Sequence, residues 1–207
     1  MAAKNTLWHQ TSAQERTHMT SRQDERYVGP YAVLHSRPIY ENPWMKVRED
    51  RAKQRGEETT FGVVTIRPGV TVLPLDDAEN VYLVREFKYA VGATTLEAVS
   101  GAVESGESPE QAGLREIGEE VALRAAEWVD MGLINPFTTL VNSPNHMFLA
   151  RGLTQIGRRA VPGEYVEIVR MPFEEALQAV LDGTITHGAS CVLILKAQLY
   201  LSRSRSA

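Results

Sequence analysis

The sequence predicts an α/β fold in which a mixed sheet carries helices on both faces, an α/β/α sandwich preceded by an arm of antiparallel strands. Strand-like segments fill the first half of the chain, and a strand, a glycine-containing loop and an acidic helix follow in succession. Two helical segments near the C-terminus would cover the second face of the sheet. With 207 residues, 43% of them hydrophobic, the chain is long enough to bury one ordinary globular core.

The N-terminal third divides into a tail and a strand arm. Residues 1–27 are polar and lack apolar periodicity, which is typical of a flexible tail, and Trp8 in it is either a contact anchor or an idle side chain. Residues 28–66 contain three strand candidates, at 32–36, 44–52 and 59–66, with a turn at 54–58. Residues 67–207 are predicted to form the main domain.

Strands and helices of the main domain follow from apolar runs and turn residues. Strands at 70–75 and 80–87 flank a turn at 76–79 and predict a hairpin, and a strand at 95–100 leads into the glycine loop. Short strands are expected at 128–135, 146–150 and 163–171, and helices at 172–182 and 190–201. Gly183 suits the end of the first of these helices.

The acidic helix has the clearest start signal in the chain. Ser108 is a good N-cap, Pro109 suits the first helical position and Gln111 completes a capping box. Glu116, Glu119 and Glu120 then lie on one helix face, where like charges repel. Because hard divalent cations prefer oxygen ligands, Mg²⁺ or Mn²⁺ is the simplest compensating partner.

This segment resembles the Nudix hydrolase signature. The matching positions are Gly101, Glu107, Arg115, Glu116, Ile117, Glu119, Glu120 and Leu123. Ala122 departs from the usual Gly at the helix end, where a positive φ is often needed, so we expect a slightly different helix exit. The resemblance implies the same α/β/α sandwich. The alternative is a solvated acidic helix face, which explains neither the upstream loop nor Arg115.

Flanking sequences resemble the ADP-ribose pyrophosphatase branch of that family. Residues 81–89 read VYLVREFKY and residues 96–101 read LEAVSG, similar to two strands of the branch. This resemblance implies that the backbone carbonyl of Ser100 joins the metal site and that Lys88 replaces a substrate-contacting Arg. It also implies a homodimer, because the strand arm of branch members often crosses to a second subunit.

Roles within the site follow from charge and position. Glu116 and Glu120 lie one turn apart and can share metal ions, while Glu119 either completes the metal shell or accepts a proton from water. Arg115 can hold the carboxylates in register, or form a plain surface ion pair. Glu107, near the helix N-terminus, is expected behind the metal site or as a weak ligand, and Gly101 lets the backbone approach a ligand closely.

The general base is open on sequence grounds. Branch members often carry a Glu in the loop after the acidic helix, and the corresponding residues 135–146 contain no carboxylate. The candidates are Glu119, His146 and Glu164, or a water acidified by the cation without a side-chain base. His146 has a suitable ordinary pKa, although a lone His is more often structural.

Substrate contacts are expected from four residues. Arg85 and Lys88 alternate on a strand, so a regular strand brings only one of them to phosphate, whereas a bulge admits both. Glu97 is a candidate ligand of a ribose or base, or a solvent-facing Glu. By resemblance Trp44 packs against the base; the alternative is a core or interface aromatic.

The sequence therefore predicts a metal-dependent hydrolase of nucleoside diphosphate sugars, with ADP-ribose as the first substrate and AMP and ribose 5-phosphate as products. Another such sugar, for example GDP-mannose, and a non-catalytic ligand sensor are the alternatives. A net charge of −4 disfavours nucleic acid, and no apolar run reaches the length of a membrane span. A single cysteine, Cys191, excludes an intramolecular disulfide, and we expect a soluble cytoplasmic protein.

Overall fold

The computed structural model describes residues 26–157 and 166–204, and these contain two sheets and three helices. The predicted tail lies outside them, Trp8 included, except for Arg26 and Tyr27, which begin the first strand. The strands are β1 (Arg26–Val28), β2 (Tyr31–Glu41), β3 (Met45–Gln54), β4 (Glu57–Ile66), β5 (Gly69–Pro74), β6 (Asn80–Lys88), β7 (Ala93–Ala102), β8 (Leu123–Ile134), β9 (Val141–Asn142), β10 (Asn145–Gln155) and β11 (Glu167–Pro172). The helices are α1 (Pro109–Glu120), α2 (Phe173–Leu181) and α3 (Gly188–Ser204).

The arm forms a five-stranded sheet of its own. Strands β1 to β4 pair antiparallel in chain order; β2 to β4 correspond to the three predicted strands, whereas β1 was not predicted. The two-residue strand β9, from the loop between β8 and β10, adds to β4 in the parallel direction. The arm is therefore joined to the rest of the chain by the β4–β5 connection and by this loop.

The core sheet has six strands in the order β11-β6-β7-β5-β10-β8, and only β5 and β10 are parallel. The predicted hairpin of β5 and β6 is wrong beyond a single bridge, Leu75 with Val81. Strand β7 lies between them, because its first half pairs with β6 and its second half with β5. The turn at 76–79 thus joins two strands that diverge.

Helices cover both faces of the core sheet, which confirms the α/β/α sandwich. Val70 and Val72 of β5 pack on one face with Ala112 and Ile117 of α1. Alternate residues of the same strand point the other way, so Leu73 packs with residues of α2 and α3. Each fully buried side chain of this size stabilises the fold by about 1.5–3 kcal/mol. In the part of the chain that the structure describes, no helix is long and apolar enough to span a membrane.

Helix α1 begins and ends at defined residues. Ser108 Oγ accepts the Gln111 N–H, and the Gln111 side chain accepts the Ser108 N–H, which completes the capping box. At the other end Ala122 has φ of +55°, the left-handed conformation of the usual Gly. The expected difference in helix exit is therefore wrong. Ala122 adopts the same conformation at a steric cost of about 1–2 kcal/mol.

Candidate active site

A cavity of about 420 Å³ opens where β7 meets the loop leading into α1. Seven of the residues singled out in the sequence line it: Lys88, Ser100, Gly101, Arg115, Glu116, Glu119 and Glu120. Its other lining residues are Arg67, Glu86, Ala102, Glu104 and Val166. The wall is thus strongly polar, with carboxylates outnumbering cations.

Glu120 is an acid of this cavity with a strongly raised pKa. Burial and the neighbouring Glu116 carboxylate raise its pKa to about 8, despite the opposing effects of Lys88 and the Ser100 N–H. Its Oε2 atom is buried and has no hydrogen-bond partner among residues 26–157 and 166–204. A buried, unpartnered carboxylate oxygen is costly, so this atom is suited to a ligand that supplies positive charge.

Glu116 lies directly against the backbone of β7. A Cβ on Gly101 would come within 1.8 Å of Glu116 Oε1, so only glycine leaves room for this carboxylate. Glu116 itself is 9% exposed. Gly101 thereby lets Glu116 lie beside the end of β7, where Glu120 accepts a hydrogen bond from the Ser100 N–H.

Arg115 connects the glycine loop to the carboxylate face of α1. Its Nε and Nη2 donate to Glu107, and Nη2 also donates to the Ala102 carbonyl. Its Nη1 donates to Glu116 at 2.7 Å and to Glu119 at 3.2 Å. A guanidinium has five N–H donors, and these five contacts use all of them.

Glu107 braces the loop rather than entering the cavity. Its Oε2 also accepts the Glu104 N–H, at 3.0 Å. The Arg115 guanidinium, together with this N–H, lowers the pKa of Glu107. Glu107 is therefore ionised at neutral pH and orients Arg115 from outside the cavity.

Lys88 and Glu86 project from β6 into the cavity as an ion pair, with Nζ 2.5 Å from Glu86 Oε2. Partial burial alone would lower the pKa of Lys88, but Glu86, Glu97 and Glu120 outweigh it and raise the pKa. The β6–β7 ladder is regular, so only one of the two predicted cations reaches the cavity. Arg85 points elsewhere and pairs with Glu167 at 3.1 Å.

Glu97 lies behind Lys88 and does not line the cavity. It is 5% exposed, accepts a hydrogen bond from Thr95 Oγ1 at 2.6 Å, and lies 4.0 Å from Lys88 Nζ. His187, just before α3, places Nδ1 3.3 Å from Glu97 Oε2 and 2.8 Å from Ser190 Oγ. Burial lowers the pKa of His187, although Glu97 opposes the shift.

Two other predicted residues that the structure describes, Trp44 and His146, do not line the cavity. Trp44 is 66% exposed in the turn between β2 and β3. His146 is half-buried in β10 and is not a lining residue. Glu164 lies outside the described residues. Of the side-chain base candidates that the structure describes, Glu119 is the one in the cavity.

The cavity residues offer the oxygen ligands that a divalent cation prefers. They supply hard oxygen atoms, and among the described residues one of these, Glu120 Oε2, is buried and unpartnered. Within residues 26–157 and 166–204, however, no three carboxylate, imidazole or thiol side chains already surround one point. Arg115 Nη1 lies between Glu116 and Glu119, so closing a cation site requires these contacts to rearrange.

Comparison with protein-family models identifies the relationship. The model of the NUDIX domain matches residues 65–188, more than half of the chain. The chain belongs to the Nudix family. A second model, the nucleoside diphosphate sugar hydrolase N-terminal domain, matches residues 32–53 within the arm. Nudix hydrolases generally use divalent cations, in agreement with the oxygen ligands of this cavity.

Relatives of this Nudix hydrolase have related names. An ADP-sugar pyrophosphatase of Mus musculus is 30% identical over 200 residues, covering 87% of this chain and 89% of the relative. An ADP-ribose pyrophosphatase of Mycobacterium tuberculosis is 24% identical, covering 80% and 82%. A crystal structure of an ADP compounds hydrolase superposes with a TM-score of 0.76 at 17% identity, covering 86% of this chain and 98% of that structure, which shows the shared fold.

Several residues at or near the cavity of this Nudix domain were missed in the sequence. Glu86 was predictable from the sequence, because strand alternation puts it on the same face as Lys88. Arg67 and Glu104 carry no local signal, since they lie in connections whose direction only the fold sets. His187 meets Glu97 across 90 positions of sequence, a contact that no spacing rule predicts.

Proposed function

We propose that this Nudix hydrolase cleaves the diphosphate linkage of a nucleoside diphosphate sugar with Mg²⁺ or Mn²⁺. ADP-ribose is the first substrate, and addition of water across the linkage releases AMP and ribose 5-phosphate. The names of the relatives from Mus musculus and Mycobacterium tuberculosis support this substrate class.

The observation that carries the proposal is the state of Glu120. Its raised pKa and its Oε2, which has no partner in the described part of the chain, lie beside a second carboxylate in a polar cavity and suit a cation ligand. Glu116, Glu120 and the Ser100 carbonyl would hold the cation, with Glu119 at the edge of the set. When bound, the cation neutralises the phosphate oxygens and acidifies a water.

Glu119 is the group we assign as general base. It lines the cavity, and its Oε2 contacts Arg115 Nη1 at 3.2 Å. Arg115 orients Glu119 and is itself held by Glu107 and the Ala102 carbonyl. Glu119 would thus accept the proton from water while Arg115 holds its carboxylate in position.

Lys88 lines the cavity and is the residue we assign to contact the diphosphate. Glu97 lies 4.0 Å from Lys88 Nζ, and it accepts a hydrogen bond from Thr95 Oγ1. A lysine presents a point charge rather than a fork, so it can follow either phosphate as the linkage is cleaved. Trp44 would contact the base only if a second copy of the arm brings it to a cavity.

We also propose a homodimer built by the arm. Strand β2 exposes large apolar side chains, among them Leu34 at 45%, Ile39 at 50% and Tyr40 at 52%. Several exposed large apolar side chains on one strand are candidates for burial in an interface. Pairing two arms would bury these side chains and offer Trp44 a place at the cavity of the other copy.

A substrate panel tests the proposed reaction. The protein is incubated with Mg²⁺ or Mn²⁺ and ADP-ribose, ADP-glucose, GDP-mannose or a dinucleoside polyphosphate, and phosphate is measured after phosphatase treatment. We expect turnover of ADP-ribose to exceed that of the others. Tight binding of one compound without turnover of any would favour a ligand sensor and contradict the hydrolase.

Glu120→Gln tests the assignment of the cation ligands. The substitution keeps the shape of the side chain and removes its charge, so we expect kcat to fall by a factor of about 100 or more, equivalent to about 2.7 kcal/mol. Glu110→Gln on the exposed face of the same helix is the matched control and should keep full activity. Activity retained by Glu120→Gln would show that the cation is held elsewhere.

A further inference from the structure

The charges around the cavity do not by themselves attract a diphosphate. Five carboxylates line it, from Glu86, Glu104, Glu116, Glu119 and Glu120, against three cations. A nucleoside diphosphate sugar brings two further negative charges. Besides a bound cation, its phosphates need a cationic side chain that is not already paired within the protein.

Two of the three cations are engaged internally. Arg115 uses all five of its N–H donors on Glu107, Glu116, Glu119 and the Ala102 carbonyl. Lys88 forms a close ion pair with Glu86 and lies 4.0 Å from Glu97. Arg115 therefore has no donor left for substrate, and the charge of Lys88 is largely compensated.

Arg67 differs from both. It lines the cavity, its side chain is exposed, and it makes no ion pair or hydrogen bond with residues 26–157 or 166–204. Among the described residues none uses its five N–H donors, so a ligand in the cavity can accept them without breaking a contact within those residues.

The backbone holds Arg67 in place although its side chain is exposed. It lies between the end of β4 and the start of β5. Pro68 restricts Arg67 to extended backbone conformations. The Pro68 carbonyl accepts the Val103 N–H at 2.8 Å, and the Gly69 N–H donates to the Pro144 carbonyl at 2.8 Å. The Cα of Arg67 is therefore fixed, and the guanidinium can move only as far as the side chain extends from it.

We propose that Arg67 binds the substrate diphosphate at the cavity rim with a bidentate guanidinium contact and so sets the affinity for diphosphate-linked substrates. This assignment rests on the proposed function for the identity of the substrate. Arginine suits the role because its planar fork matches two phosphate oxygens, which a lysine does not.

Steady-state kinetics of Arg67→Ala and Arg67→Lys with ADP-ribose test the assignment. We expect Arg67→Ala to raise KM at least tenfold with kcat changed less than threefold, and Arg67→Lys to recover only part of the loss. Inorganic pyrophosphate should lose inhibitory power by a similar factor, whereas inhibition by adenosine should stay unchanged. The matched control is Arg124→Ala, which removes an exposed arginine of β8 outside the cavity.

Two results would overturn the assignment. The first is an unchanged KM in Arg67→Ala. The second is an equal rise of KM in Arg67→Ala and Arg124→Ala, which would indicate a general charge effect. If the wild-type protein cleaves none of the panel, the proposed function fails and Arg67 is judged by calorimetric titration with ADP-ribose in Mg²⁺. An unchanged Kd in Arg67→Ala then rejects the Arg67 contact, and a tenfold weaker Kd supports it.

Discussion

At the level of single residues, Glu120 couples the site to the stability of the fold. Its pKa is about 8 in the folded chain, against an ordinary value of 4.5. The folded state therefore binds one proton more than the unfolded state between these two values. By linkage, the stabilisation from protonated Glu120 is fully present below pH 4.5 and is lost as pH rises through about 8.

We expect the cation-free protein to become less stable between pH 5 and 8, by at most about 1.4 kcal/mol per pH unit from this group. Glu120→Gln mimics the protonated acid, so its free energy of unfolding should lack this decline. Urea unfolding at several pH values in the presence of a chelator measures the difference. Parallel pH profiles for wild type and Glu120→Gln would contradict the role of Glu120, and Glu110→Gln should follow the wild type.

Among the elements, local signals and long-range pairing differ in how far sequence predicts them. The capping residues Ser108 and Gln111 fix the start of α1 within a few positions, so this helix was predictable. The partner of β5 was not, because β7 displaces β6 through contacts made only after the chain folds. Likewise, Glu116 and Glu120 follow from helix spacing, whereas the arrival of Arg67 at the cavity depends on the path of the arm.

The end of α1 gives a prediction at this scale. Ala122→Gly removes a left-handed strain of about 1–2 kcal/mol and a buried methyl group that contributes about 0.8 kcal/mol. We therefore expect a gain of up to about 1 kcal/mol in the free energy of unfolding, measured by denaturant titration. Ala125→Gly in β8 is the control, since it loses a buried methyl group from a strand and should be destabilised. Equal destabilisation of both variants would argue against strain at Ala122.

For the whole molecule, the exposed apolar side chains of β2 predict the oligomeric state. We expect light scattering after size exclusion to give twice the mass of one chain. Ile39→Lys puts a charge in the proposed interface and should shift the protein to the monomer at low micromolar concentration. Leu181→Lys, on the exposed end of α2, is the control and should remain a dimer. A wild-type monomer, or identical behaviour of both variants, would exclude an interface at Ile39.

The short strand β9 has a mechanical consequence. The loop at 135–144, in which the sequence shows no carboxylate, is joined to the arm through Val141 and Asn142, and the Val64 N–H donates to the Leu140 carbonyl at 2.9 Å. A displacement of the arm therefore displaces this loop as well, and a movement of the loop away from the arm breaks backbone hydrogen bonds between them. The two segments form one cooperative unit, and amide protons at Val64 and in β9 should exchange with deuterium together rather than independently.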